Sequence, residues 1–487
     1  MGKKLRLMAI LLAVFLCAAC DKMTTTGAEE TVAETSTEEV TEAPTGETVR
    51  ENWKLDGLPA YEGDNVLGKN VYSCGTLLTE TGQRNPDGCK MQVVTETDEE
   101  EVAAYAALLQ ENGFELFSDE IQEENHFYRF TFGEKKIYLS YIGAKERVNI
   151  IVDETGLFPE DISYTYEPAE GERTEFYCYG IKMDPDGLAT GKNPDNPDNY
   201  PNNGQLMVIK CADNSVIIVD GANGVQMEEL EQEEFDQFLH QITGTAEGEK
   251  VRISAWYFTH FHADHFHGVM KFLKSYGDCY QVERVICNKP DYINWSLKET
   301  NPLNLAVFFA SLYPECQEIK IHTGEKVQIA DVTLHVLYCH EDNTSKTAKT
   351  SIADFNDTST VVRVSDASGM SMLILGDINI SGEKILCAQY SESTLKSDIV
   401  QQAHHNYNYL TTVYDYSAST YAVFTQSEGG LVKNISSKRN SDYVKERCKE
   451  WFCLGNETVG FAMADGGVKV IYQEDLIFDP RVSENVK

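Results

Sequence analysis

The chain is short of positive charge: 41 Lys and Arg stand against 78 Asp and Glu over 487 residues, for a formal net charge of -37. Such a balance keeps a protein soluble and repels polyanions at long range. It argues against a nucleic-acid coat or scaffold. Beyond residue 20 no segment approaches the roughly 18 consecutive apolar residues of a membrane-spanning helix. Eleven of the 13 cysteines lie past that point, from Cys74 to Cys453, with no C-x-x-C pair and no metal-ligand spacing. That removes the dithiol redox and zinc-ribbon classes. An odd number cannot all be paired; a Cys74 to Cys89 bridge fits an oxidising compartment, and buried free thiols fit the same sequence.

What is present begins with a signal. Lys3, Lys4 and Arg6 precede an apolar core from Leu7 to Leu16, and Ala18-Ala19 stand directly before Cys20. This reads as a secretory signal over residues 1–20. Small residues before a cysteine resemble a bacterial lipobox, which implies a lipid anchor on Cys20 and an extracytoplasmic, membrane-anchored location; cleavage near Ala19 without lipidation implies secretion. Residues 21–55 are Thr, Glu, Ala and Gly with almost no large apolar side chain, a composition that cannot offset the entropy of ordering. A flexible acidic tether is expected there. From residue 56 to 155 apolar periodicity returns as a small α+β domain. Its helix is expected to open on a capping box of Thr97 and Glu100 and to close at Gly113, with strands at 114–117, 126–132 and 136–142. No constellation of chemistry stands in it; His126 reads as a strand residue.

The second globular stretch runs over 170–475. A long Asp-, Asn- and Pro-rich loop is expected at 184–203, then strands ending at Asp220-Gly221. Helices and strands then alternate in two blocks, which suits an α/β fold, a four-layer αββα sandwich with its site at one edge of the sheets. The final helix is expected over 441–451.

One stretch organises this half. Of the 11 histidines, four stand between positions 260 and 267 and two more are adjacent at 404 and 405. The run Tyr257-Phe258-Thr259-His260-Phe261-His262-Ala263-Asp264-His265-Phe266-His267-Gly268 follows an apolar, β-rich strand from Val251. Residues two apart on a strand leave on one side, so if the strand runs on, His260 and His262 can share one metal ion. Asp264 and His265, at the corner before a helix beginning near Phe266, can reach a second. Two divalent ions a few ångströms apart can hold a hydroxide between them. Further on, the apolar strand Met372-Leu373-Ile374-Leu375 ends in Gly376-Asp377, and the strand 398–402 ends in His404-His405.

The pattern from Thr259 to Gly268 resembles the [ST]-H-x-H-x-D-H-x-x-G signature of the metallo-β-lactamase fold superfamily. The order Gly204-Gln205, Asp220-Gly221, the histidine run, Asn356-Asp357-Thr358-Ser359, Gly376-Asp377 and His404-His405 is similar to the soluble domain of the DNA-uptake protein ComEC and its secreted relatives, over about 174–472. The resemblance implies that Asp377 bridges two divalent ions, zinc or manganese, and that Asp220 braces the histidine loop by hydrogen bonds. It implies support from Asn356 and Ser359. One of His404 and His405 completes the second ion's shell, and the other faces the substrate as electrophile or proton donor. Two departures stand out. The relatives' glycine after the paired histidines is Asn406 here, followed by Tyr407 and Asn408; Asn tolerates a left-handed backbone nearly as well as Gly. The third imidazole that β-lactamases and glyoxalase II-like enzymes give the first ion has no evident counterpart: His335 lies inside a strand, and His340 and Asn356 are the candidates. That absence speaks against a β-lactamase.

The implied activity is hydrolysis with a metal-bound hydroxide, oriented by Asp264, with His404 or His405 protonating the leaving oxygen. The expected substrate is a small phosphodiester, such as a nucleotide, a short oligonucleotide or a phosphorylcholine-like head group. No stable nucleic-acid complex is expected, and membrane contact is through the lipid anchor alone. Amide, lactone or thioester hydrolysis is the alternative chemistry, and a non-catalytic surface binding module the alternative outside enzymes.

Overall fold

The computed structural model describes residues 53, 55–61, 89–153, 166–168, 172–181, 204–288, 303–343 and 355–476, apart from Val225, Glu228, Glu247 and Asn456. The signal, Cys20, most of the acidic tether, Cys74 and the 184–203 loop lie outside the described residues. All described residues fall within one compact unit, Pro44–Lys487. Among them no helix is long and apolar enough to cross a membrane.

Residues 89–153 form a five-stranded antiparallel sheet in the order Cys89–Thr95, Arg147–Asp153, Lys135–Ile142, Asn125–Phe132, Glu115–Gln122. The helix Glu99–Glu111 covers one face, burying Val102, Tyr105, Ala106 and Leu109. Its capping box is Asp98 with Glu101, one residue later than the sequence suggests, because the Thr97 hydroxyl is held by Tyr61. The helix ends where Gly113 takes φ +88°, as its position implies. The edge strand Cys89–Thr95 and its neighbour Arg147–Asp153, absent from the sequence reading, complete the sheet. His126 is a buried strand residue whose Nε2 meets Asp119 at 2.6 Å.

Leu55, Leu58 and Tyr61 pack on the core of that sheet and its helix, and the described residues from 172 on build four layers. A nine-stranded sheet runs Gln317–Lys320, Arg284–Cys287, Val251–Tyr257, Val216–Asp220, Leu206–Lys210, Glu175–Cys178, Val459–Ala464, Gly467–Ile471, with Tyr280–Val282 beside Val251–Tyr257. A seven-stranded sheet runs Lys326–Ile329, Val332–Tyr338, Val361–Asp366, Ser371–Ile374, Ile399–Gln401, Tyr421–Phe424, Glu450–Cys453. Strand side chains alternate between faces, and the cores follow. Ile217, Val219, Ala255 and Tyr257 of one sheet meet Val362, Val364, Met372 and Ile374 of the other in a central core. The alternate residues Val216, Ile218, Ile253 and Trp256 pack outward under Phe235, Phe238 and Leu239 of helix Glu229–Thr243 and Phe266, Val269 and Phe272 of helix Ala263–Tyr276. On the opposite flank Leu373, Val400, Ala422 and Phe424 pack under Leu386, Val413 and Val444 of three further helices. The order is helix, sheet, sheet, helix: the αββα sandwich.

The expected 441–451 helix is displaced. The helix is Ile435–Lys445, opened by Asn434, whose side chain accepts from Ser437 N. Trp451 lies instead in the strand Glu450–Cys453, parallel to Tyr421–Phe424. An aromatic, β-forming end of an apparently helical run takes the sheet edge when one is offered.

Candidate metal centre

The metal-ligand candidates that the structure gathers come from loops and turns past the carboxyl ends of strands that have a parallel neighbour. Asp220 ends Val216–Asp220, which is parallel to Val251–Tyr257. The strand Val251–Tyr257 does not run on through the histidines, contrary to the expected extended geometry; it stops at Tyr257, and helix Ala263–Tyr276 starts three residues earlier than Phe266. His260 and His262 therefore approach from an irregular loop, through Nε2 of one ring and Nδ1 of the other, 3.1 Å apart. Asp264 and His265 sit in the helix's first turn. This tight corner requires the motif's glycine, since a Cβ on Gly268 would lie 2.1 Å from the Gly221 carbonyl oxygen.

The loop is fixed by Asp220, which is fully buried with φ +56°. Its carboxylate accepts from Thr259 N at 2.8 Å, Thr259 Oγ1 at 2.7 Å and His265 Nδ1 at 2.7 Å. Burial pushes this carboxyl above its ordinary range, and these three donors oppose the shift. With Nδ1 so held, His265 turns Nε2 inward to 3.2 Å from Asp377 Oδ2.

Asp377 follows Ser371–Ile374. Its N donates to Ser359 Oγ at 2.9 Å. Gly376 before it has φ +54°, and a Cβ there would meet Ser359 and Thr259 side-chain atoms at 3.0 and 3.1 Å. Gln401, which sequence reasoning missed, clamps the same turn from the next strand: Oε1 accepts from Leu375 N at 2.8 Å and Nε2 donates to the Gly376 carbonyl at 3.0 Å. A glutamine inside an apolar strand carries no motif signal.

His404, His405 and Asn406 take φ of +49°, +45° and +67° in succession. The two histidines held there store roughly 1–3 kcal/mol each, and the turn separates the two imidazoles. His405 is 1% exposed and points inward, Nε2 lying 3.3 Å from both Asp264 Oδ2 and Asp377 Oδ2. Thr425 Oγ1 holds its Nδ1 at 2.8 Å. His404 points to the rim, where Asn379 Oδ1 and Asn408 Nδ2 meet its Nδ1 at 3.2 and 2.7 Å. Beside it lies half-exposed Tyr407, ring centroids 5.3 Å apart, with the Lys433 ammonium 4.4 Å over the tyrosine ring.

Two donor sets result, with ligand atoms within 4.8 Å of one another: His260, His262 and Asp377; and Asp264, His265, Asp377 and His405. Asp377 is common to both. His340 and Asn356, considered for the first ion, belong to neither set; the Asn356 carbonyl accepts from Ser359 N at 3.0 Å. His335 bonds Gln122 Oε1 at 2.8 Å and is pushed down to about 4 by burial.

These residues fit divalent cations. Asp377 is 1% exposed, and its Oδ1 has no hydrogen-bond partner among the described residues, a costly state for a buried carboxylate. The Nε2 atoms of His265 and His405 face each other at 3.3 Å, and both lie beside Asp377 Oδ2, at 3.2 and 3.3 Å; positive charge, as a metal ion or as imidazolium protons, holds this grouping together. The metal-free electrostatics say the same. Burial works against an imidazolium at His405, but Asp377 and Asp264 outweigh it and raise the group to about 10; His265 is raised likewise by Asp377 and Asp220. Burial opposes ionisation of Asp377, yet His405 and His265 hold it well below the carboxylate range.

No family model matches the chain, and no curated protein matches it. Among solved structures it is similar to the metallo-β-lactamase fold protein YhfI from Bacillus subtilis (12% identity, 61% of this chain and 99% of that one, TM-score 0.31). It is also similar to Zn(2+)-bound PqqB from Methylobacterium extorquens (11%, 57% and 97%, TM-score 0.35) and to unliganded yeast PDE1 (13%, 57% and 97%, TM-score 0.35). At this similarity the neighbours bear on neither substrate nor metal.

Proposed function

We propose that the chain is a metal-dependent hydrolase of the outer face of a bacterial membrane, acting on small phosphodiesters. The observation that carries this is the pair of largely buried donor sets sharing Asp377, one of whose oxygens has no hydrogen-bond partner among the described residues. His260, His262 and Asp377 would hold one divalent ion, and Asp264, His265, Asp377 and His405 the second, zinc suiting imidazole and carboxylate donors. When bound, such ions supply Lewis acidity and bring the pKa of bound water to about 7.

The chain's own residues provide the rest. Asp220 fixes the tautomer of His265, and Thr425 orients His405, so both rings present Nε2. Asp264, partly exposed at the helix start, is placed to accept a hydrogen bond from the attacking water and aim its lone pair. Its carboxyl is held below its ordinary range: burial raises it, but His405 and His265 more than offset this. His404, outside both donor sets and at the rim, is placed to give its proton to the leaving oxygen. Tyr407 and Lys433 beside it offer a flat ring and an ammonium, which suit a phosphate joined to an aromatic or cationic group. The strongly acidic chain disfavours long DNA, while a Debye length of about 8 Å at physiological salt leaves a local site able to hold one phosphodiester. The similarity of the motif order to the ComEC soluble domain supports the same substrate class. The signal-like start through Cys20 supports a lipid-anchored location.

The test is turnover by chelator-stripped and metal-reloaded protein on an unactivated phosphodiester, a lactone and a β-lactam. Metal-restored turnover of the diester above the other two is expected. Lactone or β-lactam turnover without diester turnover would assign the alternative chemistry, and no turnover in the reloaded protein would favour a binding module.

A further inference from the structure

We infer that the protein carries a second, structural metal site, of Cys89, Asp153 and His322, which ties the five-stranded sheet to the sandwich. Ligand atoms of the three lie within 4.8 Å of one another, and all three residues are fully buried. Cys89 and Asp153 are register partners on adjacent strands of the small sheet. His322 comes from the sandwich, two residues past Gln317–Lys320. An ion here would be held by both bodies at once.

The surroundings are arranged as around a ligating imidazole. Glu341 receives His322 Nδ1 with both oxygens, at 2.9 and 3.0 Å. That fixes the tautomer and sends Nε2 toward Asp153 Oδ2, 3.9 Å away. A carboxylate behind the imidazole of a metal-binding histidine has this same role. The two Asp153 oxygens are divided: Oδ1 takes the Lys320 ammonium at 3.3 Å, and Oδ2 faces His322. Tyr138 packs against the His322 ring with centroids 4.3 Å apart.

Charge agrees as well. With a dication on a Cys89 thiolate, the carboxylates of Asp153 and Glu341 and the Lys320 ammonium leave the cluster neutral, and Glu325 is offset by Arg129 at 3.8 Å. The thiol proton leaves to solvent on binding. Sulfur, imidazole and carboxylate together select zinc, and a tetrahedral zinc needs its donors roughly 3.3–3.8 Å apart, a small contraction from the present spacing. The sequence concealed this site because its ligands are more than 60 and 160 residues apart, with no motif to join them.

The test does not depend on the catalytic reading, since neither donor set of the proposed centre contains sulfur. The full mature chain loaded with cobalt(II) is expected to show a thiolate-to-cobalt charge-transfer band in the near ultraviolet that Cys89→Ser removes. Zinc content should fall by one equivalent in Cys89→Ser, with diester turnover unchanged. His322→Gln, which keeps the sulfur but removes a ligand, should bind that cobalt at least about 10-fold more weakly in chelator competition, the least that loss of an outer-shell partner costs, and it serves if the serine variant does not fold. Absence of the band in the wild-type chain, a band that survives Cys89→Ser, or an unweakened cobalt affinity in His322→Gln would overturn the assignment.

Discussion

The two adjacent histidines should fail in different ways when replaced. Both sit at positive φ, so asparagine, which accepts that backbone, is the fair substitution. His405→Asn removes a ring whose Nε2 stands 3.3 Å from two carboxylates. The second donor set loses an imidazole, and metal content and activity should fall together. Without metal, removing one partner of a buried ion pair costs about 3–5 kcal/mol, so the stripped variant should also unfold earlier. His404→Asn touches neither donor set and should leave metal content and stability near wild type. Loss of a general acid costs about 10²- to 10⁴-fold, or about 2.7–5.5 kcal/mol of transition-state stabilisation. That loss should appear in kcat for an alkyl phosphodiester and nearly vanish for a nitrophenyl diester, whose leaving group needs no proton. Equal losses on both substrates, or loss of metal from His404→Asn, would refute the assignment of His404 as proton donor.

Asp220→Asn keeps the shape of the brace but weakens its grip on His265, so metal affinity should drop about 10–100-fold by chelator competition; unchanged affinity would make the brace irrelevant to the ligand. Gly376→Ala places a methyl at φ +54° against Ser359 and Thr259 and should cost about 1–3 kcal/mol in urea unfolding, with activity falling as Asp377 shifts. In the metal-free chain His405, at about 10, and His265, also raised, are protonated at pH 7. Metal uptake should therefore release about two protons, read by calorimetry in buffers of different ionisation enthalpy. Groups raised on folding stabilise fully below their unfolded value of about 6.5 and lose that contribution as pH climbs through the folded one. The stripped chain should thus lose stability between about pH 6.5 and 10, while the loaded chain does not.

The histidine run was legible because four imidazoles within eight positions are hard to explain as core or surface. Asp377 and His405 were legible as the polar ends of apolar strands. Local backbone was less so: the strand ends at Tyr257, and the two imidazoles meet through an irregular loop that period-two reasoning could not describe. Nothing in the pair His404-His405 says which ring turns inward; three successive left-handed residues decide it. Thr97 and Asp98 both fit a capping box, and only the distant Tyr61 selects between them. Gln401 and Thr425 act across strands, as do Glu341 and His322, so their roles follow from pairing rather than from spacing.

The shared carboxylate is the claim on which the catalytic centre rests, and metal stoichiometry in two variants tests it most directly. Relative to wild type, His260→Ala should lower bound metal by one equivalent, because its ring serves the first set alone. Asp377→Ala should lower it by two and abolish diester turnover. An Asp377→Ala chain that binds as much metal as wild type would contradict a two-ion centre built around that residue.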